Sequence, residues 1–138
     1  KLTFKRIFTR INNFIKYKQN QKYEKNRYKD WVQNHKITKA KRNEISKEIA
    51  ELSYKPLISI IMPVYNVDLK WIKKAVKSVN NQIYKNWELC IADDASTKPE
   101  LIKYLKKISK RKNIKVTFRE RNGHISEASN SALKLAQI

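Results

Sequence analysis

The sequence predicts an α/β fold, a parallel sheet with alternating helices, preceded by a basic helical extension. Three observations carry this expectation. After Pro56, short apolar runs and stretches of helical spacing alternate three times. Before Pro56 there is neither glycine nor proline, and apolar residues recur at intervals of three and four. The chain has 138 residues and is 41% hydrophobic, enough for one small core, although 32% of it is charged.

Residues 1–55 form the expected extension, with 16 basic and 5 acidic side chains. Leu2, Phe4, Ile7, Phe8, Ile11, Phe14 and Ile15 share one helical face, and Lys1, Lys5, Arg6, Arg10 and Lys16 lie between them. Such a helix suits an anionic membrane surface, here through residues 1–16, or it packs against other protein. Tyr28, Trp31, Val32 and His35 make a second stripe; Ile45, Ile49 and Leu52 make a third, opened by Thr38. Both are expected to be packing faces. His35 lacks a metal-ligating companion.

Residues 56–138 form the α/β part. Residues 57–62 are a short, β-branched apolar run, a buried strand stopped by Pro63. Leu69, Ile72, Val76 and Val79 step by three and four, a helix. Residues 87–92 make the second strand. Pro99 stands in the first turn of the next helix, where its missing N–H costs little, and Leu101, Ile102, Leu105 and Ile108 form that helix's buried face. Residues 114–118 alternate as a third strand, and a last helix is expected over about 126–136. Strand–helix units in this order imply parallel pairing.

Composition narrows function. The formal charge of +20 favours anionic partners: nucleic acid, an acidic membrane face or phosphorylated ligands. Its 25 Lys against 7 Arg weaken the case for a specific base or phosphate reader, which leans on the arginine fork. The single glycine, Gly123, excludes a Walker loop and a dinucleotide fingerprint within these residues. The single cysteine, Cys90, excludes an internal disulfide or a zinc set, reads as a small buried hydrophobe, and fits a reducing cytoplasm. No apolar run approaches the roughly 18 residues of a membrane span.

In an open parallel sheet, ligands gather beyond the carboxyl ends of the strands. Three polar segments fall there: Pro63-Val64-Tyr65-Asn66, Asp93-Asp94-Ala95-Ser96, and residues 119–124. Asp93, Asp94, Ser96 and Thr97 could on their own serve only as helix caps. The neighbouring Pro63–Asn66 segment makes a binding site the stronger reading.

The blocks PLISIIMPVYNVDLKWIKKAVKSV, NWELCIADDAST and RNGHISEASNSALKLA, in that order, resemble the start of a family 2 glycosyltransferase, within a subgroup that builds bacterial surface polysaccharide. The likeness covers about residues 54–137, and YKDWV upstream adds a weaker one. It implies a GT-A, Rossmann-like half-domain that binds a UDP- or dTDP-linked sugar. By the same resemblance, Asp94 accepts the ring N–H of the pyrimidine and Tyr65 packs on the base, with Pro63, Val64 and Asn66 shaping the nucleoside site. Asp93 is a further candidate; Gly123 and His124 would wall the ribose or phosphates, and Asn130 would lie near the pocket. Where many members carry arginine, this chain has Ser129, which removes one phosphate contact.

The family's Asp-x-Asp motif, which holds Mn²⁺ or Mg²⁺, and its catalytic base would follow beyond Ile138. The chain is therefore expected to be the binding half of an inverting hexosyltransferase, with no catalytic residue and no metal ligand of its own. Further expectations are a glycan acceptor, a cytoplasmic location at the inner membrane face, and self-association through a sheet cut in half. A basic nucleic-acid-binding protein and a membrane-surface module are the alternatives that the charge supports.

Overall fold

The structure is a computed structural model that describes the backbone of residues 4–137 and the side chains from residue 13 onward. The expected stripe at Leu2, Phe4, Ile7, Phe8 and Ile11 therefore lies outside the described side chains; Phe14 and Ile15, on the same stripe, are exposed. The chain divides into two compact units, Lys1–Arg42 and Asn43–Ile138.

In the first unit, α1 spans Phe4–Asn34. Tyr28, Trp31 and Val32 are exposed, so this stripe is not the packing face expected of it. Its rings stack on one another instead: Tyr28 on Trp31 at 6.4 Å and Trp31 on His35 at 4.5 Å between centroids. Residues three and four apart on a helix are surface neighbours, so helical spacing alone produces such a ladder. The His35 ring nitrogen Nδ1 lies 2.8 Å from the Trp31 carbonyl oxygen, at the end of the helix.

α2, Lys39–Glu51, begins as expected after Thr38, whose Oγ1 accepts the Lys41 N–H at 3.1 Å. Ile45 and Ile49 are half-buried while Leu52 is exposed.

The sheet contains β1 (Ile58–Val64), β2 (Trp87–Asp93) and β3 (Ile114–Phe118), parallel and in the order β1-β2-β3. Ile60 pairs with Leu89, and Leu89 with Ile114. Every residue of the central strand is buried. α3 (Leu69–Asn80), α4 (Pro99–Ile108) and α5 (His124–Leu133) complete the unit.

Strand pleating divides the core in two. Leu89 and Ile91 face a large cluster with Ile72, Val76 and Val79 of α3 and Leu101, Leu105 and Ile108 of α4. Cys90 and Ala92 face the other way, against Ala128 and Ala132 of α5. These small side chains let α5 lie close to the sheet. Burial pushes the Cys90 thiol up, as does the Glu88 carboxylate, in keeping with an inert core residue.

α5 starts two residues before the expected Ser126 and ends at Leu133, three before Ala136. Its start is fixed by a side chain distant in sequence, as described below. Past its end, Leu135 and Ala136 donate to the carbonyls of Ala132 and Leu133 in tighter turns. That tail is anchored to the sheet through buried Glu88. Its carboxylate accepts the Gln137 N–H at 2.6 Å and the Ser59 hydroxyl at 2.7 Å, and pairs with Lys115 at 2.8 Å.

Candidate functional site

Beyond the carboxyl ends of the strands, three loops converge. The Asp94 N–H donates to the Val64 carbonyl at 2.8 Å, and the Arg119 N–H to the Asp93 carbonyl at 2.9 Å, so the ladder runs on into the loops. Each loop also carries one non-glycine residue in the left-handed region: Asn66 at φ 46°, Ala95 at φ 60° and His124 at φ 60°. Such backbone is costly outside glycine and collects where a site demands a particular loop shape.

Asn66 joins the first two loops. Its N–H donates to Ser96 Oγ at 2.8 Å, and its Oδ1 accepts the Thr97 N–H at 2.8 Å. Asp93 shapes the second loop: Oδ2 accepts the Ser96 N–H at 3.1 Å, while the buried Oδ1 has no protein partner among the described residues.

Asp94 is the hub of the third contact. It is buried, with 2% of its surface exposed. The Gly123 N–H donates to both carboxylate oxygens, at 3.0 and 3.2 Å, and Arg119 Nε lies 2.9 Å from Oδ1. Arg119 in turn donates to the Glu127 carbonyl at 3.0 Å and to Ser131 Oγ at 2.6 Å, and pairs with the Glu127 carboxylate. One guanidinium thus ties the end of β2 to the first two turns of α5. Gly123 stands directly against the Arg119–Glu127 pair, and a β-carbon there would collide with both.

These contacts border a cavity of about 410 Å³, within the range of small-molecule sites. Pro63 and Val64 line it from the end of β1, Tyr65 and Asp94 from the loops after β1 and β2, and Asn122, His124, Ile125 and Ala128 from the third loop and α5. The structure therefore brings together Pro63, Val64, Tyr65, Asp94 and His124 of the residues singled out in the sequence. Asn66, Asp93 and Gly123 stand behind the lining and shape it, and Asn130 is exposed on α5 outside it. Asn122, Ile125, Ala128 and the bracing Arg119 are additions. Arg119 had a readable signal, an arginine directly after the third strand of a lysine-rich chain, on the side of the sheet edge where the paired aspartates fall.

No lining residue is a lysine or arginine. Nor do the described residues bring three His, Cys, Asp or Glu side chains together as a metal site. The family resemblance places its divalent ion on a separate Asp-x-Asp motif; here Asp94 is taken up by Gly123 and Arg119 and Asp93 Oδ2 by Ser96, a donor set that does not fit that ion.

The fold and cleft define a GT-A-type α/β half-domain with a cavity at the strand ends. The chain belongs to glycosyl transferase family 2, whose family model matches residues 59–137. It is 35% identical over 59% of its length to the O-antigen biosynthesis protein RfbC of Myxococcus xanthus. It is 40% identical over 58% of its length to WfgD of Escherichia coli, a UDP-Glc:alpha-D-GlcNAc-diphosphoundecaprenol beta-1,3-glucosyltransferase. Among solved structures, 68% of the chain superposes on the mannosyltransferase PcManGT of Pyrobaculum calidifontis, in complex with GDP-Man and Mn²⁺, with a TM-score of 0.53 at 20% identity, a likeness of fold. The chain spans 6% of RfbC, 30% of WfgD and 30% of the PcManGT chain.

Proposed function

We propose that the cavity binds the nucleoside of a nucleotide-diphosphate sugar, UDP- or dTDP-linked. Residues 56–138 would then be the donor-binding part of a glycosyltransferase that extends a bacterial surface polysaccharide. The observation that carries this reading is the buried Asp94 carboxylate, held by Gly123 and Arg119 at a cavity that Tyr65 also lines. A carboxylate offers about four acceptor directions, and these contacts leave room for one more donor. A pyrimidine ring N–H supplies that donor, and Tyr65, half exposed, supplies a ring for stacking, worth about 1–3 kcal/mol. A site built on such a hydrogen bond rejects bases unable to donate there. Likeness to RfbC supports the polysaccharide assignment, and the UDP-Glc donor of WfgD supports uracil.

In this reading the chain binds and orients the donor. The divalent ion would offset charge on the departing diphosphate, and a base would take the proton of the acceptor hydroxyl in an inverting displacement. In this reading neither group comes from the described residues, and this chain alone is expected to bind without transferring. The glycan acceptor, and a place at the inner face of the cell membrane, belong to the same proposal.

Calorimetric titration with UDP and dTDP, at low and high salt, tests it. Binding that resists salt and weakens at least tenfold in Asp94→Asn is expected. A folded chain that binds neither nucleotide refutes the assignment. RNA binding with a steep salt slope would favour the nucleic-acid alternative.

A further inference from the structure

The positive charge of the α/β unit is unevenly spread. α3 carries four lysines and no acidic residue. α4 carries three lysines and Glu100, and Lys110, Arg111 and Lys112 follow it directly. Both helices pack on the same face of the sheet. α5, on the opposite face, has no lysine or arginine and one glutamate. The cations beside α5 are fewer and mostly neutralised: Lys115 pairs with Glu88, Arg119 with Asp94 and Glu127, and Lys134 follows the helix, so positive charge is denser on the α3–α4 face.

That face has a second property. Lysine ammoniums sit over the rings of three aromatic residues: Lys70 and Lys74 over Trp71 at 4.9 and 4.8 Å, Lys73 over Tyr104 at 5.9 Å, and Lys106 over Phe118 at 6.0 Å. Trp71 is 52% exposed. The arrangement combines apolar rings at the surface with long lysine stems whose charged ends reach past them.

We propose that the α3–α4 face is a docking surface for an anionic phospholipid bilayer, independent of the nucleotide cavity. Charge complementarity selects an anionic partner, and lysine near an acidic bilayer gains from the surface potential whatever its orientation. An exposed tryptophan among lysines suits the boundary between headgroups and chains. A nucleic acid fits less well: it would draw on arginine forks and open aromatic faces, whereas this face has one arginine and its rings are capped by ammoniums.

The test is co-sedimentation of the full chain with phosphatidylcholine vesicles, plain or containing about one third phosphatidylglycerol, near physiological salt. Binding only to the anionic vesicles is expected. The triple variant Lys74→Glu, Lys103→Glu, Lys107→Glu should lose it at least tenfold, and the same positions changed to Gln should lose it less. A control with equal charge change elsewhere, Lys36→Glu, Lys39→Glu, Lys47→Glu, should keep most of the binding. All six lysines are exposed, and circular dichroism checks that each variant is folded. Equal loss in the control would reduce the effect to bulk charge and overturn the proposal. Undiminished binding by the α3–α4 variant would assign the attraction to other segments and also overturn it. So would preferential binding of RNA that competes the protein off the vesicles.

Discussion

Asn66, Ala95 and His124 hold left-handed backbone in the three loops around the cavity, in a chain whose one glycine is used elsewhere. Gly123 is that glycine, and space, not φ, explains it: its φ is −126°, and the Arg119–Glu127 pair fills the volume a side chain would need. Gly123→Ala is therefore expected to push the pair apart, weakening nucleotide binding through Asp94 while leaving β1 and β2 intact; titration and far-UV dichroism would separate the two effects. Arg119 is a positioning residue in this scheme. Arg119→Gln leaves two carboxylates facing each other around a neutral amide, and a loss of about 3 kcal/mol in urea unfolding is expected from breaking a buried pair. Arg119→Lys keeps the charge without the fork and should recover stability more than it recovers binding. None of this is visible along the sequence, because residues 94, 119, 123 and 127 meet only once β2, β3 and α5 are assembled. The PVYN and DD segments were readable because turn-forming and acidic residues break apolar runs abruptly.

At the scale of elements, the strands and α3 and α4 were legible because each is apolar at its own period; β1, expected to be buried and to stop before Pro63, instead runs through it to Val64 and is largely half-buried, since an edge strand tolerates a proline and has a neighbour on one side only. α5 was placed two residues late because its first turn is set by the Asp94 carboxylate gripping the Gly123 N–H, a partner 29 residues away. Glu88 is a second such partner. It sits in the middle of an apolar strand, a pattern that by itself reads as a defect, yet it anchors the tail after α5. Burial alone pushes the Glu88 carboxyl up; the hydrogen bonds from Lys115, the Gln137 N–H and Ser59 outweigh it and bring it from 4.5 down to about 2. A carboxyl lowered on folding stabilises most above its unfolded value, and this contribution should fade as pH falls from about 4.5 toward 2. Glu88→Gln should flatten that acid limb and cost about 3 kcal/mol at neutral pH, measured by urea unfolding across pH. The core strand is equally exposed to test: Leu89→Ala, at a side chain with no exposed surface, should cost about 2–5 kcal/mol.

Across the whole molecule, a three-stranded sheet leaves one side of β1 and one side of β3 without a strand partner among the described residues. Unpaired edges template association, and sedimentation equilibrium is expected to show mass rising with concentration; a monomer at all concentrations would contradict this. The overall charge reads differently once folded. Summed along the chain it is +20 and points to any polyanion, but in the α/β unit it is densest on the α3–α4 face, while α5 carries no lysine or arginine of its own. The sequence by itself determined the α/β class, the order of the elements after Pro56, the family resemblance and the loops that border the site. These follow from local periodicity, from turn chemistry and from short blocks read in order, none of which needs distant residues to meet. Tertiary structure alone decided that Asp93 turns into its own loop, that Arg119 and Gly123 hold Asp94, and that the lysines of α3 and α4 share one face. Adjacent residues at a strand end point to opposite sides of the sheet, and the packing of α5 against one of those sides selects which carboxylate can meet a ligand.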